Sequence, residues 1–217
     1  MRQAAAVMSM DELLRSMRVW RGRGAELARP AIPTGFDELD RYLPGGGWPR
    51  GAVTEICLDH YGIGELTLLL AGLARLVREG AQKKWIVWVA PPFIPYAPAL
   101  QQHGIDLDCQ LLVHPRNGGR KSDLWAVEQA VRSGSCAAVL AWVQAADEVD
   151  LRRLQLAAEE RSCWVVLFRP LAALESRSPA ALRLKLSQQA VTTRVSVVKC
   201  RGRQPAEIGL AGFAENG

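Results

Sequence analysis

No apolar run in the 217 residues approaches the ~18–20 that a membrane-crossing helix needs, and no apolar leader segment with a small-residue cleavage site follows the N-terminal charges. These absences lead us to expect a cytoplasmic chain. No C-x-x-C pair occurs among Cys57, Cys109, Cys136, Cys163 and Cys200, whose number is odd. Four of them lie in or beside apolar runs, which favours buried free thiols over a disulfide framework or a metal site. His60, His103 and His114 are scattered without ligand spacing. Neither G-x-S-x-G nor G-x-x-x-x-G-K-[ST] is present, so the usual serine-hydrolase and phosphate-loop signatures are both missing. There is no internal repeat and no low-complexity tract.

What is present is an ordinary globular composition, 49% apolar and 23% charged, in a length that suits one full core but not two. Apolar strand-like runs at 53–58, 85–90, 110–114, 137–143 and 163–168 alternate with helical patterns at 65–79, 121–133 and 148–161. Nearly continuous apolar strands separated by helices imply a mainly parallel sheet covered on both faces. After Arg169 the pattern changes to alternating strands at 182–186, 194–199 and 207–213, read as an antiparallel extension at one sheet edge. Most of the six tryptophans beyond Trp20 are expected in the core by default, with Trp48, in the glycine turn at 44–51, the one expected to be exposed. Asp147, Glu148 and Asp150 read as the acidic first turn of the helix at 148–161.

Ahead of this domain, residues 9–20 have a helical stripe of Leu13, Leu14, Met17 and Trp20, followed by a Gly/Pro/Arg-rich linker. The expected organisation is a protruding helix and linker at 1–31 and an α/β domain at 32–217. The stripe can pack on its own domain, on a second copy or on another protein, and intermolecular docking is the expectation.

The formal net charge is +5, and residues 176–206 hold seven Lys/Arg with no Asp or Glu. Arg177, Arg183, Lys199, Arg201 and Arg203 are the candidates for contact with DNA or another polyanion. A solvated basic surface is the alternative. Without interleaved aromatics, such a site would grip phosphates without sequence preference.

The run IPTGFDELDRYLPGGGWPRGAVTEI at 32–56 resembles the entrance to the core of RecA recombinases. Weaker likeness continues through WIVWVA, YAPALQQHGIDLDCQLLV, AVEQAVRSGSCAAVLAWV and TRVSVVK, covering about 32–200 with gaps. Within that superfamily the chain resembles the ImuA family of translesion-synthesis factors, with the SulA division inhibitors as more distant relatives. The resemblance implies a RecA-like fold and a role in the SOS response to DNA damage. It also implies partners: an ImuB-like relative of Y-family polymerases, a DnaE-type error-prone polymerase, RecA itself, DNA, or a further copy of the chain. The alternative is a SulA-like inhibitor acting on the tubulin-like division protein.

The resemblance also locates a degenerate phosphate loop. A working loop cradles phosphate on backbone N–H groups, neutralises it with lysine and holds Mg²⁺ through a hydroxyl. Here Gly62 and Gly64 keep the turn, but Glu65 stands in the lysine position and Leu66 in the hydroxyl position. No lysine occurs between Gly51 and Gln82. Near a protein surface, two unit charges 4 Å apart interact by about 4 kcal/mol, and glutamate turns that attraction for a polyanion into repulsion. The family's acid after the second strand is replaced by Pro91-Pro92-Phe93, and its Mg-associated acid by Trp142 or its neighbours. We therefore expect no ATP hydrolysis, no catalytic residue, no metal and no cofactor, with action through binding.

Overall fold

The computed structural model describes residues 31–79, 83–116, 119–189 and 192–210. The stripe Leu13, Leu14, Met17 and Trp20, its linker and the last seven residues lie outside the described residues.

An eight-stranded sheet carries the fold. Its strands are β3 (Val53–Leu58), β4 (Trp85–Val89), β5 (Gln110–Val113), β6 (Cys136–Trp142), β7 (Trp164–Pro170), β8 (Leu182–Gln189), β9 (Thr192–Cys200) and β10 (Ala206–Ile208). Their spatial order is β10-β9-β8-β3-β7-β6-β4-β5. The six strands from β8 to β5 run parallel, and β9 and β10 join antiparallel. β3 and the continuous apolar run of β6 are buried at every position, as strands covered on both faces must be.

One face packs on α1 (Asp37–Tyr42), α2 (Thr67–Arg78) and α3 (Ala97–Gln102), through Leu39, Leu69, Leu73, Leu100, Trp88 and Phe168. The other packs on α4 (Arg120–Arg132) and α5 (Glu148–Arg161), through Val127, Val131, Leu151, Val139 and Val165. Asp147 and Asp150 form a reciprocal capping box at the start of α5, the role read for this acidic cluster. At α1 no side chain caps the helix directly. Phe36 holds the cap position, while the Thr34 hydroxyl accepts from Phe36 N–H at 3.1 Å and Asp40 accepts from Thr34 N–H at 2.8 Å.

Trp48 overturns its expectation. The short strands β1 (Ala31–Ile32) and β2 (Trp48–Pro49) pair antiparallel, folding the glycine turn back on itself. Trp48 is thereby fully buried, with its ring stacked 5.5 Å from Trp164. Gly72 makes the room: a Cβ there would lie 3.0 Å from Trp48 Cδ1. Conversely, Trp85 and Trp125 are exposed rather than in the core.

The C-terminal extension also differs from expectation. β8 is itself parallel to β3, with Thr54 opposite Leu182, so the antiparallel part starts only at β9. Since β7 and β8 flank β3 in the same direction, residues 171–181 must return from one end of the sheet to the other. No long helix covers this stretch. Beneath it, Glu55 of β3 lies fully buried between Arg169 of β7 and Arg183 of β8. Arg169 donates to Glu55 Oε1 at 2.5 Å, and Arg183 Nε forms an ion pair with Oε2 at 2.7 Å. Arg183 also donates to the Ala173 and Ser176 carbonyls of the crossover, and Arg169 to that of Ala146. The charged cluster thus supplies polar partners that an irregular buried connection would otherwise lack.

Candidate functional site: a glycine turn filled by its own glutamate

The turn after β3 occupies the position read as a degenerate phosphate loop. Gly62 and Gly64 have φ of +87° and +92°, a region open to glycine and strained for other residues. This aims successive N–H groups to one side, the arrangement that binds anions. Here the anion is part of the chain. Gly62 N–H donates to both oxygens of the Glu65 carboxylate at 3.0 Å, and Ile63 N–H donates to Oε2 at 3.1 Å. Glu65 is only 6% exposed. The charge that was expected to repel phosphate from the turn instead occupies it.

The structure shortens the helix expected from residue 65: with Glu65 folded back, α2 starts at Thr67. Leu66 is half-buried and packs against the core. Two further bonds hold the turn. Thr193 of β9 donates its hydroxyl to the Ile63 carbonyl at 2.8 Å, and Gln144 beyond β6 donates to Tyr61 Oη at 3.0 Å. Thr193 was not legible as a turn partner, because it lies 130 residues away in sequence.

The neighbouring strand ends complete this rim. After β4 the chain passes through Ala90 into Pro91, Pro92 and Phe93, with no carboxylate. At the end of β6, Trp142 is buried, stacked 4.5 Å from Phe168 and 6.3 Å from Trp88. Among the described residues, no cluster of three His, Cys, Asp or Glu is arranged to hold a metal ion, and no helix is long and apolar enough to cross a membrane.

The basic candidates are not equally accessible. Arg177 is exposed on the crossover. Arg183 is buried against Glu55, which corrects its reading as an accessible phosphate contact. Lys199 is half-buried, donates to the Ser178 carbonyl at 2.5 Å, and has its pKa lowered by burial and then by neighbouring Arg201 and Arg183. Arg201 and Arg203 are exposed in the turn after β9, at the end of the sheet opposite the glycine turn. Arg201 lies 3.5 Å from Glu159, and the Arg203 guanidinium sits 6.0 Å from the Tyr42 ring centroid. Two basic residues outside the candidate set, Lys185 and Arg194, alternate with buried Leu184, Leu186, Val195 and Val197. They share the polar face of the β8–β9 pair, where Lys185 stands opposite Ser196 and Arg194 opposite Ser187. The two-residue period was the available signal.

Comparison with known proteins adds the following. The family profile described as "Cell division inhibitor SulA" matches residues 51–164, more than half of the chain. A protein RecA from Acholeplasma laidlawii is 35% identical over 117 residues, covering 52% of this chain and 33% of that protein. A protein ImuA from Caulobacter vibrioides is 32% identical over 154 residues, covering 67% of this chain and 60% of that one. A cell division inhibitor SulA from Pectobacterium atrosepticum is 33% identical over 113 residues, covering 52% and 64%. The chain thus spans about a third of the RecA relatives it matches and less than two thirds of the others. The crystal structure of SulA from Pseudomonas aeruginosa aligns with a TM-score of 0.44 at 22% identity, over 54% of this chain and 97% of that one.

Proposed function

The chain belongs to the SulA family, and from that premise we propose that it is a non-catalytic accessory protein of the SOS response, acting by binding partners in the manner of ImuA in translesion DNA synthesis. The observation that carries the non-catalytic part is the Glu65 carboxylate bound by the Gly62 and Ile63 N–H groups. A phosphate chain entering this turn has to displace a resident anion, and it meets no lysine in the loop. Phosphoryl transfer rests on positioning and charge compensation, and neither is available. The proline-rich turn after β4 and the aromatic stack at the end of β6 support the same reading.

The ImuA-type role is supported by the longer match, which extends over 67% of the chain. On this reading the partners are an ImuB-like protein, a DnaE-type polymerase, RecA, DNA or a second copy of the chain, in the cytoplasm. The family description favours a second reading, inhibition of the tubulin-like division protein. Two assays with purified full-length chain separate them. Equilibrium binding of a labelled ATP analogue with Mg²⁺ is expected to give no micromolar complex, and a micromolar Kd overturns the non-catalytic reading. Capture of purified ImuB-like protein, without an effect on polymerisation of the tubulin-like protein, is expected on the first reading. The reverse result selects the second.

A further inference from the structure

The loop joining β4 to α3 is the most apolar exposed feature among the described residues. Phe93, Ile94 and Tyr96 are 75%, 80% and 73% exposed, while most of the other large apolar side chains among the described residues are buried. Pro91, Pro92 and Pro95 interleave with them, and Pro98 stands in the first turn of α3. Each proline fixes its φ and removes an N–H. The loop is therefore stiff, presents carbonyl acceptors with few donors, and carries Phe93 and Ile94 outward side by side.

Its base is strained. Ala90 has φ +49°, an unfavourable left-handed conformation for a non-glycine residue. Its N–H donates to the Val113 carbonyl at 2.9 Å, which fixes the direction in which the loop leaves the sheet. Charge is absent as well: residues 85–105 contain no Asp, Glu, Lys or Arg. That disfavours a nucleic acid or an anionic membrane, both of which are gripped through cations. A rigid, neutral, donor-poor and proline-spaced loop matches a groove lined by aromatic side chains and N–H donors, the chemistry by which proline-rich segments are recognised. Little conformational freedom remains to be lost on docking.

We propose that residues 91–96 are a docking loop for such a groove on a different protein, with Phe93 and Ile94 as the inserted pair. This rests on the partner-binding reading above and names the surface that performs it.

The test places the photo-crosslinker p-benzoyl-phenylalanine at Phe93 of the full chain in DNA-damaged cells, with Trp125, the exposed aromatic of α4, as control position. The expected result is a single discrete adduct absent from the control, whose partner-side peptide maps to a groove containing Trp, Tyr or Phe. The purified partner should then lose at least 30-fold in affinity for the Phe93→Ala/Ile94→Ala variant and none for Arg152→Ala. Both variants alter exposed side chains and should keep the wild-type melting temperature. An adduct with a second copy, with nucleic acid or with lipid overturns the proposal. So does the lack of an adduct above the control, or unchanged affinity of the double variant. If the identified partner has no part in the DNA-damage response, the surface stands and the functional reading falls.

Discussion

Removing the Glu65 side chain leaves Gly62 and Ile63 N–H without the acceptor they hold at 3.0–3.1 Å. Ile63 is buried and Gly62 is exposed; an unsatisfied buried donor costs about 1–3 kcal/mol, so Glu65→Ala is expected to lower the melting temperature. Millimolar inorganic phosphate should recover part of that loss in the variant and leave the wild type unmoved, as thermal shift reads directly. Glu55 is the other buried carboxylate, and it holds two arginines at once. Glu55→Gln strips the charge and should destabilise by about 3–5 kcal/mol in urea unfolding, because two buried guanidinium groups remain. Cys57 on the same strand gives a pH signature. Burial, and then the charge of Glu55, push its thiol from 9.0 up to about 11. A raised folded-state pKa means that its contribution is complete below pH 9 and is lost as pH rises from 9 to about 11. Unfolding at pH 8 and 10.5 should show that fall, reduced in Cys57→Ser.

At the scale of elements, α4 and α5 are joined by Arg120, which reaches Asp147 and, at 2.7 Å, Asp150 of the α5 cap. The cap N–H bonds and Arg120 hold the Asp147 carboxyl below its usual range. Asp147→Ala should lower the melting temperature by a few degrees and abolish the part of its acid dependence that sets in as pH falls through the depressed pKa. This helix start was legible, since an acidic residue three positions before another, ahead of an apolar run, has a local cause. The central strands were legible because burial on both faces writes a continuous apolar run. The direction of β8 was not. Its alternation of Leu182, Leu184 and Leu186 with Arg183 and Lys185 reports that two faces differ, and is silent on which strand lies alongside. Trp48 was misread for a related reason: glycine and proline around it signalled a turn, but the partner that buries it, Trp164, is more than a hundred positions away.

Across the described part of the molecule, two of the five basic candidates are engaged by the protein itself. Arg183 is buried, Lys199 is engaged with Ser178, and Arg201 and Arg203 sit at the opposite end of the sheet from the glycine turn. Binding of single-stranded DNA is therefore expected to be weak. With roughly three phosphate contacts, log K should fall against log salt with a slope near −2. Reversal of Arg177, Arg201 and Arg203 to Glu should abolish it in fluorescence anisotropy. Persistence of binding in that variant moves the contact to the Lys185 and Arg194 face. The regular sheet was readable from the chain alone. The glutamate-filled turn was readable only as a substitution, because its closure depends on a carboxylate folding back over three residues.

The place of β3 between β7 and β8 also has a consequence for biosynthesis. Thr54 leaves the ribosome long before its neighbour Leu182 exists. At about 5–20 residues per second this fully buried strand waits on the order of ten seconds for its second neighbour. A message truncated ahead of β8 would release a chain with the β3 edge open and Glu55 lacking one of its two arginines. Such fragments should be insoluble or quickly degraded, so the yield of folded protein depends on translation passing β8.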